Sequence, residues 1–138
     1  MADDKLFRLE IISPDRVFYQ GDAAMVELTT SEGDVGIYKN HIPMTMIVVP
    51  GIVTITEEEG QKKAALHSGF IEVLQDKVTI LAELAEWPDE IDLNRAEEAR
   101  VRAQRRLETA DSSMNMIRAN MALRKALVRI ELAEGKQK

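Results

Sequence analysis

A chain of 138 residues that is 45% hydrophobic, 30% charged and only 4% aromatic has a globular composition, enough for one domain or a small domain with an appendage, with a core of Val, Ile, Leu, Met and Ala. The absence of cysteine excludes disulfides, thiolate catalysis and cysteine-bound metal. The net charge of −6 is divided unevenly: residues 89–138 hold 11 Lys and Arg against 9 Asp and Glu, leaving 7 against 15 in the first 88. An acidic front argues against nucleic acid as a partner, whereas a mildly basic tail suits an acidic protein surface. No run has the length of a membrane span, and the acidic start MADDKLFRLE has no apolar stretch, so a soluble or peripheral protein without a leader is expected.

All four prolines and six of the seven glycines fall in residues 1–88, between short segments of period two. In chain order, Phe7, Leu9 and Ile11 alternate with Arg8 and Glu10, and Val26 and Leu28 with Glu27 and Thr29. Val53 and Ile55 then alternate with Thr54 and Thr56, and Val78, Ile80 and Ala82 with Thr79 and Leu81. Each segment reads as a strand with one buried face. Turn chemistry separates them at Ser13-Pro14-Asp15, Gln20-Gly21-Asp22, Glu32-Gly33-Asp34, Pro50-Gly51, Glu59-Gly60-Gln61 and Gln75-Asp76-Lys77. Roughly nine short strands at this spacing predict an antiparallel sandwich or flattened barrel. No helical pattern lies between them, which disfavours a parallel α/β sheet.

From Asp89 the period lengthens. Leu93, Ala96, Ala103, Leu107 and Ala110 fall on steps of three and four, interrupted by Arg100, and so do Met116, Ala119, Leu123, Ala126, Ile130 and Ala133. Two amphipathic helices follow, with Asp111, Ser112 or Ser113 as N-cap of the second. The short connection makes them antiparallel neighbours, and the alanines let their axes approach. The fold class expected is α+β: an N-terminal antiparallel β-sandwich over 1–88 and a C-terminal two-helix antiparallel hairpin over 89–138. An alanine contributes on the order of 0.8 kcal/mol on burial, so a hairpin joined by Ala and Met contacts needs support from the sandwich, a ligand or a partner.

Two segments contain chemistry-bearing residues. SEGDVGIYKNHIP places Asp34, Lys39 and His41 close together, but neither a GxGxxG nor a P-loop spacing is present. His41 and His67 are the only histidines and neither belongs to an HxH or HExxH pair, so no metal site is expected and the segment reads as a structured loop. In WPDEIDLNRAEEARVRAQRRL, Asp92 suits an N-cap or first-turn position, where a carboxylate accepts orphan N–H groups. Arg95 opposes the helix dipole there, a cost that Asp92 or Glu98 offsets. A solvated ion pair and a ligand site both fit.

The segments TTSEGDVGIYKNHIPMTMIVVPGIVTI, SGFIEV and VTILAELAEWPDEIDLNRAEEARVRAQRRL resemble, in order and spacing, the bacterial epsilon subunit of the F-type ATP synthase. The resemblance covers essentially the whole chain, and the combination of Gly33-Asp34-Val35-Gly36-Ile37, Asn40-His41-Ile42-Pro43 and Pro50-Gly51 makes it specific. It implies a β-sandwich followed by a helical hairpin. It also implies a non-catalytic rotor subunit at the cytoplasmic face of the bacterial cell membrane, peripheral, with the gamma subunit, the c-ring and the alpha/beta catalytic hexamer as partners. In this family the hairpin extends in some states and blocks ATP hydrolysis.

By the same resemblance, Asp34 and His41 match positions implicated in contact with the c-ring. Ile91-Asp92-x-x-Arg95-Ala96 matches the motif of the ATP-binding members, completed at positions that are Glu86, Arg102, Lys125 and Arg129 here. Arginines on two packed helices grip a polyphosphate bidentately, while carboxylates accept from adenine or ribose. Lys125 stands where those members usually carry arginine, and it keeps the charge without the planar fork. No cofactor is required; ATP enters as a regulatory ligand, with or without Mg²⁺. Arg100, Arg102, Arg105, Arg106, Arg118, Arg124, Lys125 and Arg129 form a basic face, of which Arg118, Arg124, Lys125 and Arg129 match the family's contact with the beta subunit. The alternative reading is a stand-alone nucleotide-sensing β-sandwich, and an enzyme is third.

Overall fold

The computed structural model describes residues Lys5–Lys136, so the outermost residues of the two expected domain ranges lie outside the described residues. It divides into two compact units, Met1–Ala85 and Glu86–Lys138.

Among the described residues the first unit holds eight strands: β1 (Phe7–Ser13), β2 (Arg16–Ala23), β3 (Met25–Thr30), β4 (Gly33–Ile37), β5 (Met44–Val48), β6 (Gly51–Glu57), β7 (Gly60–Val73) and β8 (Lys77–Glu86), whose last residue opens the second unit. Their order is β2-β1-β8-β7-β5-β3-β4, with β6 paired to both β3 and β7. The registered pairs are antiparallel except β1 with β8, which run parallel from Arg8↔Lys77 to Ile12↔Leu81. A parallel pair needs a long connection. Here the rest of the sheet is that connection, which is why local turn signals do not reveal it.

The alternating residues form the core. Phe7, Leu9 and Ile11 of β1, Val26 and Leu28 of β3, Val53 and Ile55 of β6, and Val78, Ile80 and Ala82 of β8 are all buried. Each fully buried Leu, Ile or Val contributes about 1.5–3 kcal/mol. Two layers are joined by β7, which pairs with β6 from Gly60 to Leu66 and with β5 from Gly69 to Val73. Between these stretches Ser68 has φ 45, a left-handed conformation that an ordinary residue adopts only where its surroundings hold it. This is a strand changing layers at a bend. Gly69 follows, and a Cβ there would collide with the Leu81 carbonyl oxygen and stand 2.9 Å from Ala82 Cα. The backbones of β7 and β8 meet where only glycine fits.

Two turn expectations are corrected. Gln20-Gly21-Asp22 lies inside β2, with Gly21 opposite Leu9. Its glycine makes room for a ring: a Cβ at Gly21 would lie 2.9 Å from the Tyr19 hydroxyl. Gly33-Asp34-Val35-Gly36-Ile37 is likewise strand β4 rather than part of one loop, held against β3 from Thr30↔Gly33 to Val26↔Ile37.

Tyr19 ties β2 to β6. Its hydroxyl donates to Glu57 Oε2 at 2.6 Å, and Lys62 Nζ lies 3.5 Å from Glu57 Oε1. Burial first, then the bond to Glu57 and its charge, push the phenol well above the ordinary tyrosine range.

These contacts, and the open space at Gly135, make three predictions. The unfolded phenol ionises near the ordinary tyrosine value of 10.0 while the folded one retains its proton, so this contribution to stability is complete below that pH and declines as pH rises above it. Relative to Tyr19→Phe, the parent chain loses stability between pH 9 and pH 11 in urea titrations. Gly69→Ala is expected to cost about 1–3 kcal/mol in the same assay, the range for overpacking. Gly135→Ala, at a helical position with nothing within 4 Å of the added methyl, is neutral or stabilising by up to about 1 kcal/mol.

Candidate functional site

The second unit begins with Glu86, half-buried at the end of β8, and turns sharply. Pro88 fixes the backbone for a 3₁₀ turn, Pro88–Glu90, and the Trp87 amide donates to Glu90 Oε1 at 2.8 Å. Asp92 follows in extended conformation as N-cap of helix α1 (Leu93–Glu108), and its Oδ1 accepts from the Arg95 amide at 3.1 Å. The cap reading of Asp92 therefore holds. The cap uses the Arg95 backbone amide and leaves its guanidinium out of the bond. Helix α2 (Ser113–Lys136) starts after a short turn, and Ser112 is its cap, with Oγ accepting from the Asn115 amide at 3.1 Å. Arg105 and Arg106 occupy the last turn of α1, where cations complement the helix dipole.

The helices meet on small residues. Ala96 and Ala103 of α1 and Ala119, Ala126 and Ala133 of α2 are buried, with Ile130 beside them. Methyl groups leave the axes close, and long side chains at the edge of the contact then converge from both helices. They form a cleft of about 330 Å³ lined by Glu86, Glu90, Ile91, Asp92, Arg95, Ala96, Ala99, Arg102 and Arg129. Arg129 Nε donates to Glu86 Oε1 at 2.7 Å, closing 43 residues of chain between β8 and α2. The half-burial of both partners makes this ion pair stronger than one in open solvent.

Seven residues expected at one site, Glu86, Ile91, Asp92, Arg95, Ala96, Arg102 and Arg129, thus line one cleft. Lys125 does not line it, although it stands one turn before Arg129. Glu90 and Ala99 line the cleft without having been anticipated. Ala99 was detectable as the residue between Arg95 and Arg102 on one helical face, with a methyl that leaves the floor open. Glu90 was detectable only as part of an acidic turn. Arg100 points elsewhere, to Glu97 at 3.0 Å and Gln104 at 3.1 Å.

The cleft is of mixed charge. Its lining combines the carboxylates of Glu86, Glu90 and Asp92 with the guanidinium groups of Arg95, Arg102 and Arg129, and Arg129 is already paired with Glu86. Such a set holds a ligand that has both hydrogen-bond donors and anionic groups. Its lining includes no His, Ser, Thr, Tyr or Lys, so it offers no hydroxyl, amine or imidazole nucleophile. Among the described residues no group of three or more His, Asp or Glu is placed to hold a metal ion.

The other singled-out residues lie apart. Asp34 is exposed near the start of β4 and accepts from Thr29 Oγ1 at 2.9 Å. His41 follows the opposite end of that strand, its Nδ1 3.0 Å from the Ile42 carbonyl. Around His41, the Asn40 amide donates to Gln75 O at 2.8 Å, and Tyr38, Ile42, Met44 and Leu74 are exposed. Arg118 is exposed, while Arg124 borders a separate groove on α2 with Ile117, Leu127 and Glu131.

Comparison with known proteins accounts for both units. Residues 6–88 match the model of the ATP synthase delta/epsilon chain beta-sandwich domain, and residues 89–134 that of the delta/epsilon chain long alpha-helix domain. An ATP synthase epsilon chain of Caldanaerobacter subterraneus subsp. tengcongensis is 43% identical over 135 residues, spanning 97% of this chain and 98% of that one. One of Clostridium novyi is 41% identical over 129 residues, spanning 93% and 98%. The fold is shared with a chain in the Euglena gracilis mitochondrial ATP synthase, at TM-score 0.80 and 22% identity over 96% of this chain and 82% of that one. A chain of the Tetrahymena thermophila mitochondrial ATP synthase central stalk and c-ring gives TM-score 0.70 and 11% identity, over 92% and 96%. With a family model over each unit and full-length relatives above 40% identity, the chain belongs to the ATP synthase delta/epsilon chain family.

Proposed function

We propose that the chain is the epsilon subunit of a bacterial rotary ATP synthase, a non-catalytic component of the central stalk that couples catalysis to ion translocation, and that its hairpin unit binds ATP as a regulatory ligand. The full-length similarity to curated epsilon chains supports the first part. Its partners are then the gamma subunit, the c-ring and the alpha/beta hexamer, at the cytoplasmic face of the membrane. No helix among the described residues is long and apolar enough to cross a membrane. On this reading the end of the sandwich bearing His41 and the exposed Tyr38, Ile42 and Met44 docks on the c-ring, with Asp34 extending the contact along β4. Arg118, Arg124, Lys125 and Arg129 meet the acidic surface of the beta subunit when the hairpin extends.

One observation supports the second part: the convergence of Glu86, Asp92, Arg95, Arg102 and Arg129 on a single cleft. The carboxylates at the root accept from the adenine amino group and ribose hydroxyls, and the arginines grip the phosphates. ATP bridges the root of the unit, α1 and α2, so it stabilises the closed hairpin over any state in which the helices separate. A ligand shifts such an equilibrium only by its differential affinity. No step of catalysis is assigned to the cleft.

Calorimetric titration of ATP into the full chain, with and without Mg²⁺, tests this. Saturable binding is expected, weakened at least about tenfold by Arg95→Ala, the loss of one charge-assisted contact. An absence of heat at millimolar ATP would reduce the Asp92–Arg95 segment to a cap and leave the family assignment intact. Asp92→Ala is expected to destabilise the hairpin unit by about 1 kcal/mol without ligand, through loss of the cap, and to weaken ATP further.

A further inference from the structure

The cationic face does not stop at the cleft. On α1, Arg95, Arg102 and Arg106 are seven and four residues apart, and on α2, Arg118, Lys125 and Arg129 repeat that spacing. Residues at such intervals share one face of a helix. Arg95, Arg102 and Arg129 line one cleft, which sets both faces on the same side of the hairpin. Each row runs about 16 Å along its axis at 1.5 Å per residue, toward the turn at Thr109–Ser112. Arg102, Arg106 and Arg118 are exposed.

Between the cleft and the turn the two rows are free of acidic residues, which return only at the turn itself as Glu108 and Asp111. None occurs in 99–107 of α1 or in 113–130 of α2, and Glu98 alone borders the row near Arg95. The carboxylates of the cleft, Glu86, Glu90 and Asp92, all lie at the root. A charge-balanced cleft therefore opens into a strip of cations, beyond the reach of a group held at the root by a triphosphate-length tail.

We propose that the cleft is the inner end of a longer anion track, and that the hairpin unit takes linear chains of more than three phosphates, with Arg106 and Arg118 holding the outer ones. The proposal rests on the nucleotide reading of the cleft for its inner end. The chemistry favours phosphate over an acidic peptide: a phosphate chain carries negative charge at every link, matching cations that interleave from two helices, and guanidinium forks bind it bidentately. Acidic side chains of an extended peptide alternate between its two faces instead. Two sources share this chemistry, a nucleoside polyphosphate anchored at the carboxylate root and an inorganic chain held by the cations alone.

Calorimetry on the full chain with ATP, adenosine tetraphosphate, inorganic tetraphosphate and an oligoglutamate of equal charge separates them, beside the double variant Arg106→Gln, Arg118→Gln. Adenosine tetraphosphate is expected to bind about tenfold more tightly than ATP, the gain of one charge-assisted contact, and the ratio to fall to near one in the double variant. Tighter adenosine tetraphosphate than inorganic tetraphosphate identifies the nucleoside-anchored source. Binding of inorganic tetraphosphate alone, weakened in the double variant, supports the track as an inorganic-chain site and removes the nucleotide reading. ATP binding with no gain from a fourth phosphate overturns the track and leaves the ATP cleft standing. Equal binding of oligoglutamate overturns phosphate recognition, and no binding of any probe overturns both.

Discussion

The contact between alanines of α1 and α2 is what the hairpin unit depends on. Ala96, Ala103, Ala119, Ala126 and Ala133 contribute little apolar area each, on the order of one methyl group. Their value is geometric. With larger residues at the seam the axes would separate, and the arginines at its edge would no longer face one cleft. The seam itself contributes little apolar area, so the Glu86–Arg129 pair and the caps at Asp92 and Ser112 add to the burial of Val128, Ile130 and Leu132 in ordering the unit. A unit so constructed responds to what occupies its cleft, because one or two contacts are a sizeable fraction of the whole.

The sandwich rests on a different principle. Its strands bury aliphatic side chains in alternation, and its layers are connected covalently by β7 rather than by packing alone. The bend at Ser68 and the bare backbone at Gly69 let one strand serve two neighbours in succession. A rigid body of this kind suits a constant attachment surface, while the helical unit supplies the variable part.

Much of this was legible in the sequence, and the reasons for success and failure differ by range. Alternation in Phe7–Ile11, Val53–Ile55 and Val78–Ala82 reports burial directly, because a strand sends every second side chain one way. Asp92 was legible as a cap because the requirement for an acceptor at a helix start is local. Gly21 was misread because a glycine that admits a neighbouring ring looks like a glycine that permits a turn. Gly33–Ile37 was misread as loop because two glycines and an aspartate occupy three of its five positions, leaving only Val35 and Ile37 to show the alternation. The parallel pairing of β1 with β8 depends on residues some 70 positions apart, and no local pattern encodes it. For the cleft, the resemblance supplied residue identities and helical spacing put Arg95 and Arg102 on one face. Only the structure separates Lys125 from Arg129, since one turn of helix decides which of two similar cations reaches the root.

The adjacency of β1 and β8 has a consequence for how the protein is made. The first strand of the unit has its last strand as a neighbour, so β1 and β2 wait as an incomplete pair, with one edge unfilled, until residue 86 has been synthesised. Pairing at such sequence distance is slow, and an open strand edge invites other chains in the interval. The hairpin unit, assembled from near neighbours, needs no such wait once its second helix is complete. Two steps therefore follow the emergence of these segments: closure of the sheet, and collapse of the helices onto their alanine seam.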